Sequence, residues 1–271
     1  MQSFERTNEQ TMYQDSLSKL LSQTYDFQTR AKRIAKGELF DQKVWSQLAE
    51  LGMLSILIPE EHGGLGGNMS DFTAIMEILG QSLVLEPVMH TSLGAWLIAH
   101  YANDAQKNEV LPNIMQGNIC IIPTLHQQTV SSPLIAHTHP LTLKKDSTKL
   151  SLNGSITMVP YGQNATHFIV KAQSEHNHEI FYLMVKAELA GIQSYSNIDD
   201  TNVVDLTFNN VVIENTDLFP SSNSLLEDLL YPRVISALSA ESVGICAALN
   251  SKTRQYTKQR EQFGKPISKF Q

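Results

Sequence analysis

The spacing of apolar and polar positions changes period twice along this chain. From residue 1 to about 117 the spacing is helical. Leu17, Leu20 and Leu21 fall at i, i+3 and i+4. Val44, Leu48 and Leu51 repeat the pattern just before Gly52, a glycine placed to close a helix in the left-handed conformation. Ser70 is a candidate cap for a helix carrying Phe72, Ile75, Met76 and Leu79, Thr91 for one carrying Leu93, Leu97 and Ile98, and Asp104 starts another that reaches Leu111. Between about 118 and 220 the period falls to two and β-branched residues dominate. In "KLSLNGSITMV", Asn153-Gly154 predicts a two-residue hairpin turn, because a type I′ turn needs positive φ at both positions. "HFIVKA", "EIFYLMVK" and "VVDLTFNNVVI" predict further short strands in an antiparallel barrel or sandwich.

Beyond about 222 the helical period returns. Pro232 fits a first turn. From Arg233 to Phe263 a helix would run roughly 45 Å, at about 1.5 Å per residue, before Gly264 and Pro266 end it. Leu238, Ile245, Leu249 and Tyr256 share one stripe, and Ala237, Ala240, Gly244, Ala247 and Ala248 let neighbours come close. A helix this apolar needs a bundle around it, and the cover for its stripe is expected from a partner subunit or another copy. The pattern therefore predicts an α+β chain: an N-terminal helical domain (1–117), a middle antiparallel β-barrel (118–222) and the start of a C-terminal helical bundle (223–271).

Composition narrows the function classes. A net charge of −7 argues against a nucleic-acid partner, which would need a basic footprint. One cationic cluster stands out, Lys252, Arg254, Lys258, Arg260 and Lys265; it reads as a solvated helix face or as a surface that meets phosphates. The two cysteines, Cys120 and Cys246, are flanked by apolar residues and read as buried reduced thiols of a cytoplasmic protein. The start, MQSFERTNEQ, shows no apolar signal-peptide core, and the longest apolar run, near Met53 to Pro59, is far below the roughly 20 residues of a membrane helix.

The candidate chemistry is sparse. "PEEHGGLGG" (59–67) is rich in glycine, but its spacing fails the dinucleotide fingerprint and it lacks the Gly-Lys-Ser/Thr of a phosphate loop; a tight turn between helices accounts for it better than a backbone approach to a ligand. His137/His139 and His176/His178 are H-x-H pairs without a third metal ligand at ordinary spacing, and read as solvated. No G-x-S-x-G nucleophile motif is present. Tyr256, Arg260 and Phe263 sit at i, i+4 and i+7 of the long helix. A guanidinium beside an aromatic ring at a helix end can clamp a pyrophosphate and cover an adenine; a surface arginine beside a core phenylalanine is the plainer reading.

"YTKQREQFGKPISKFQ" (256–271) resembles the helix signature of acyl-CoA dehydrogenases, through Tyr256, Arg260, Gln262, Phe263, Gly264, Pro266, Ile267, Phe270 and Gln271. "WSQLAELGMLSILIPEEHGGLGG" (45–67) resembles that family's N-terminal signature. "YDF", "GQSLVLEPV" (80–88) and "AESVGICAAL" (240–249) are similar to its small-subunit-like bacterial members, of the pimeloyl-CoA dehydrogenase small subunit type. The resemblance implies FAD as cofactor and fatty acid metabolism as setting: an acyl-CoA thioester is oxidised at Cα–Cβ, a carboxylate taking the α-proton while hydride leaves for the flavin. It implies that Arg260 and Gln271 reach FAD across a subunit interface, with Gln262 and Phe263 beside the adenosine, and that the partner is a second subunit in a homo- or hetero-oligomer.

The departures from the family pattern matter too. A T-E-P-x-x-G-S-like flavin segment is replaced by "IPTLHQQTVSS" (122–132), in which only Thr124, Ser131 and Ser132 could substitute for it. An N-G-x-K-x-W-I-T/S segment is replaced by "NGSITMVP", with Met158 near the tryptophan position and Pro160 near the hydroxyl. Arg233 opens the long helix as a substrate-side residue, but the position before it, where one branch carries its catalytic glutamate, is Pro232. The other branch takes its glutamate from later in the bundle, so the resemblance implies a shortened product with no catalytic carboxylate, inactive by itself. The resulting expectation is a non-catalytic or truncated subunit of a flavin-dependent acyl-CoA dehydrogenase. A degenerate binding or scaffold protein without redox activity is the alternative, and a flavin monooxygenase of related fold stands third.

Overall fold

The computed structural model describes residues 5–125, 141–146, 149–198, 201–220 and 225–270. Six helices come first: α1 (Asn8–Thr24), α2 (Phe27–Ala35), α3 (Gln42–Glu50), α4 (Met69–Ser82), α5 (Val88–Tyr101) and α6 (Asp104–Met115). Most begin on a side chain that accepts the first free N–H groups. Thr7, Asn68 and Asn103 each form a reciprocal capping box, with Gln10, Asp71 and Gln106 respectively. The cap of α4 is thus Asn68 rather than Ser70, and α6 is capped by Asn103. Thr91 is interior to α5, fully buried beside Cys120, because Pro87 lets that helix start a turn earlier. Gly52 closes α3 as expected, with φ of 76°. Leu51, expected in the apolar stripe, is at the surface of that turn. Helix α5 is buried on nearly all sides and forms the axis of the N-terminal half.

The strands follow: β1 (Ile121–Pro123), β2 (Leu141–Asp146), β3 (Lys149–Pro160), β4 (His167–Ser174), β5 (Ile180–Lys186), β6 (Gly191–Ser196) and β7 (Asn202–Ile213). They form one sheet in the order β1-β4-β2-β3-β7-β6, with β5 pairing the other side of the chain path on β4. Among the described residues no α-helix is interleaved among these strands. The sheet is mostly antiparallel as predicted, but β4 runs parallel to both β1 and β2. The predicted turn at Asn153-Gly154 does not exist: β3 runs straight through it. These residues instead face a bulge, where β7 carries one extra residue between the pairs Leu152↔Val211 and Gly154↔Phe208. Asn210 takes the left-handed φ of 51° there, and its N–H is bonded by the Asn153 side chain at 2.8 Å. Asn-Gly serves a bulge here because the chain needs its side-chain acceptor and its freedom in φ, which are the same properties that suit a turn.

The long helix is α7 (Leu226–Gln259). It starts earlier and stops sooner than the spacing suggested, so Pro232 lies inside it rather than in its first turn. After Arg260 the chain folds into a small hairpin of β8 (Glu261–Gln262) and β9 (Lys265–Pro266), turning through Phe263 and Gly264 at φ of 52° and 76°. The residues that α7 buries are Leu226, Leu230, Ala237 and Gly244. The predicted apolar stripe is left without cover from this chain, as expected. Leu238, Leu249 and Tyr256 are exposed, together with Tyr231, Ile235 and Val243, so much of the apolar surface of α7 is uncovered in one copy of the chain. By length and apolarity α7 would suffice to cross a membrane, which no short apolar run in the sequence suggested. Its packing is that of a bundle helix: it crosses α4 so closely that Gly80 lies against the backbone of Glu241 and Gly244 against that of Glu77. Cys246 is exposed on this helix, contrary to expectation, while Cys120 is buried and its thiol is pushed up to about 12 by burial.

Candidate functional site

The β-sheet, α5 and the α4–α7 crossing enclose a cavity of about 460 Å³. Its sheet wall is the end of β3 and the turn after it, Ile156 to Tyr161, with Pro123 and Thr124 beside them. Its helical wall carries Met76 and Leu79 of α4, Val88 to His90 and Leu93 of α5, and a row from α7: Leu230, Val234, Leu238 and Glu241. That row recurs at about helical spacing, so one face of α7 lines the cavity along its length.

The sheet wall is locally strained. Between Ile156↔Leu206 and Val159↔Val204, β3 carries an extra residue, and Met158 absorbs it at φ of 58°. Asp205 holds the bulge: its Oδ1 accepts from Met158 N at 3.0 Å and from the Tyr195 hydroxyl at 2.9 Å. The bulge leaves the Met158 side chain half exposed at the cavity. Tyr161 is a second left-handed residue, at φ of 59°, and its ring packs on His90 at 5.0 Å between centroids. Two non-glycine residues at positive φ on one cavity rim cost on the order of 1–3 kcal/mol each, a cost that folds tolerate mainly where a side chain must be aimed.

Several polar groups line this mainly apolar space, and Thr124, His90 and Glu241 are the ones with a bearing on chemistry. Thr124 is buried and donates its hydroxyl to Ile169 O at 3.0 Å, so toward a ligand it offers an acceptor. Burial pulls the His90 imidazole down to about 4, so this ring is neutral near pH 7. Burial alone raises the Glu241 carboxyl above its ordinary range; no neighbouring charge contributes, and among the described residues nothing hydrogen-bonds to it. Glu86 also lines the cavity but belongs to a local network: its Oε1 accepts from Arg33 at 3.1 Å and from Asp41 N at 3.0 Å, and the Tyr25 hydroxyl stands beside it.

The residues singled out in the sequence are spread over three places. Thr124 and Met158 line this cavity, and Pro160 is beside them. Arg233 lines a second cavity, of about 500 Å³, with Trp96, His100 and the turn at Gly66–Gly67. Its guanidinium lies 3.7 Å over the Trp96 ring and donates to Leu229 O. The glycine-rich turn is a turn: the N–H groups of Gly64, Gly66 and Gly67 are all spent on Pro59, Ile58 and Ile56 carbonyls. Arg260, Gln262 and Phe263 stand together in the terminal hairpin, all exposed, Phe263 to 93%. They do not share a helical face, since α7 ends before Arg260, whose backbone is extended; Phe263 packs edge-on to Phe270 instead. Ser131, Ser132 and Gln271 lie outside the described residues, as do His137 and His139; His176 and His178 are exposed in the β4–β5 turn. His90 and Glu241 were not picked out from sequence. Each is an isolated titratable residue among small and apolar neighbours, and Glu241 follows Leu238 by three positions on the row that faces the cavity.

Comparison with known proteins gives these features a setting. Residues 7–118 match the family "Acyl-CoA dehydrogenase, N-terminal domain". A protein of Bacillus subtilis (strain 168) described as acyl-CoA dehydrogenase is 25% identical over 253 residues, which are 88% of this chain and 66% of that one. Mitochondrial isovaleryl-CoA dehydrogenase of Arabidopsis thaliana is 24% identical, over 97% of this chain and 67% of its own. The chain thus spans about two thirds of the length of these curated relatives. Among solved structures, butyryl-CoA dehydrogenase from Megasphaera elsdenii superposes with a TM-score of 0.86 at 22% identity, over 99% of this chain and 72% of that chain. A chain of the ChsE4-ChsE5 complex from Mycobacterium tuberculosis superposes with 0.86 at 19% identity, over 99% and 72%. The fold is the acyl-CoA dehydrogenase fold, and the domain match and the relatives support that family.

Proposed function

We propose that this chain is a subunit of a cytoplasmic FAD-dependent acyl-CoA dehydrogenase of the small-subunit-like kind, acting on the Cα–Cβ bond of an acyl-CoA within a homo- or hetero-oligomer. The observation that carries the reading is the apolar cavity between the strained end of β3 and the α4–α5–α7 wall, in a chain with this fold. Such a cavity suits a planar ring system packed on Met158 and an acyl chain beyond it. Bound FAD would supply the hydride acceptor. From this chain, Thr124 offers that ring system a hydrogen-bond acceptor, and neutral His90 offers either a donor or an acceptor.

The exposed group at the other end of α7 supports the oligomer. From Leu238 to Gln259 the helix extends about 31 Å, so Arg260, Gln262 and Phe263 do not serve the cavity beside Leu238. Arg260 has no acidic partner among the described residues, and it is free to clamp the pyrophosphate of a cofactor held by a neighbouring subunit. The proposed role is non-catalytic: the residue before Arg233, where a carboxylate would take the α-proton, is Pro232, exposed and off the cavity. The test is to purify the chain alone and with a candidate partner subunit, then record flavin absorbance near about 370 and about 450 nm and acyl-CoA turnover with an artificial electron acceptor. Flavin and turnover that appear only on mixing support the reading. Turnover by the chain alone, well above free flavin, would show that it carries its own proton acceptor.

A further inference from the structure

Glu241 has no task in the reading above, and its surroundings are unusual for a carboxylate. It lies on the cavity-facing row of α7, after Leu230, Val234 and Leu238. The row has a direction. The start of α7 is tied to the sheet, where Leu226 N donates to the Tyr182 hydroxyl at 3.0 Å and Glu227 pairs with Lys171. Fifteen residues on from Leu226, about 22 Å along the axis, Glu241 is at the crossing with α4. Its backbone is held there against Gly80, and Met76 and Leu79 of α4 line the same end. The carboxylate therefore stands at the last position of that row, where the cavity meets the α4–α7 crossing. It faces that space with no hydrogen bond or ion pair among the described residues. A carboxylate left this way is under-solvated, and a donor supplied by a ligand would remove that penalty.

We propose that Glu241 is a specificity-determining residue that reads the distal end of the bound acyl chain and selects one ending in a hydroxyl group. This rests on the acyl-thioester reading above. A terminal hydroxyl gives the carboxylate its missing donor. A terminal methyl leaves it unsatisfied. A terminal carboxylate sets two anions against each other in a poorly solvated space, which is the discrimination a site gains by repulsion.

The experiment measures binding by calorimetry, with the full chain supplemented with FAD and its partner subunit where one is found. The probes are octanoyl-, 8-hydroxyoctanoyl- and octanedioyl-CoA, with matched twelve-carbon versions. The expected order is hydroxyl, then methyl, then carboxylate, with hydroxyl favoured over methyl by about tenfold or more, the range for a hydrogen bond to a charged group. Glu241→Leu should remove the hydroxyl preference and favour methyl. Glu241→Gln, which keeps an acceptor and adds a donor, should keep the hydroxyl preference and admit the terminal carboxylate. Equal affinities for the three ends, or an order unchanged in Glu241→Leu, would overturn the proposal. So would loss of α-proton exchange into D₂O in Glu241→Gln with binding intact, because that places Glu241 at the reacting carbon. If no thioester binds a chain with a native melting transition, the acyl-thioester reading fails and this inference with it; selective failure of the end-group order leaves the reading standing.

Discussion

Replacing Gly244 by alanine adds one methyl group at the place where α7 crosses α4. That methyl would lie 2.8 Å from Glu77 C and 3.0 Å from Gln81 N, with Glu77 O closer still. The obstacles are helix backbone, which cannot swing aside as a side chain does, so the two helices must separate. Overpacking of this kind costs about 1–3 kcal/mol, and alanine returns up to about 1 kcal/mol of helix propensity. Because the obstacle is backbone closer than any ordinary Cβ contact, the overpacking cost falls at the upper end of that range, and the net loss is about 2 kcal/mol, or roughly 4–8 °C in Tm for a chain of this size. Gly80→Ala meets the mirror obstacle, with Glu241 C at 2.9 Å and Cα at 3.0 Å. Because both substitutions open the same crossing, the double variant should lose clearly less than the sum of the two. Ser242→Ala, on the exposed side of the same turn, is the control and should stay within about 0.5 kcal/mol. The assay is thermal and urea unfolding of the four variants beside the parent chain. A Gly244→Ala protein as stable as the parent would refute the crossing, since only a wider separation of α4 and α7 leaves room for the methyl. Fully additive losses would refute the claim that the two glycines serve one contact.

Three further outcomes follow from particular side chains. Burial pushes the Glu227 carboxyl up, but hydrogen bonds from Lys171 and Tyr182 outweigh it and leave it below its ordinary range. Its contribution is therefore present above the unfolded value, about 4.3, and is lost as pH falls through the folded value; Glu227→Gln should cost about 1–2 kcal/mol at pH 7 and progressively less below about pH 4 in urea titrations. His90 has the opposite chemistry but the same sign: its folded pKa of about 4 is below the unfolded 6.5, so the folded state resists protonation. Stability should fall as pH drops from about 6.5 toward 4, and His90→Gln should remove that slope; an imidazole titrating near 6.5 by NMR would contradict it. Arg260→Ala should leave the melting transition of the isolated chain unchanged, because the side chain is exposed past the end of α7, and should lower flavin occupancy when the chain is assembled with its partner.

Much of the fold was legible where local and global demands agree. Phe72, Ile75, Met76 and Leu79 are spaced for a helix, and all four are buried in α4. The change of period at about 118 and again past 220 follows the change from helix to sheet and back, because period two and period 3.6 expose different residues to one core. Failures came where one residue type serves several geometries. Asn153-Gly154 suits a hairpin turn and a bulge equally, and only pairing with β7, some fifty residues away, decides between them. The faces of α7 were legible by contrast, because size separates them. Leu238, Leu249 and Tyr256 form the large apolar stripe and stay exposed as expected, while Gly244, one of the small residues expected to let a neighbour close, makes the contact with α4. At a close helix crossing, the buried face is the one with the least side chain, while the largest residues await a further partner.

The same crossing explains why the candidate site was only half visible. Thr124 and Met158 could be located because each stands inside a recognisable segment. Glu241 could not, because a single glutamate in an alanine-rich helix is ordinary until the helix has a phase. That phase is set by Gly80 and Gly244: once α7 touches α4 through them, Leu230, Val234 and Leu238 turn to the cavity, and Glu241 turns with them. Rotating α7 by one residue, about 100°, would return the carboxylate toward solvent and cover it with nothing. Packing at two positions that bear no side chain thus places a charge where neither propensity nor solvation would put it. A stability measurement at Gly244 and an end-group measurement at Glu241 consequently report on one contact. Loosening the crossing with Gly80→Ala should weaken the discrimination between acyl ends in the same preparation that shows the lowered Tm. An end-group preference that survives intact in a destabilised Gly80→Ala chain would mean that Glu241 is held in place by something other than the helix crossing.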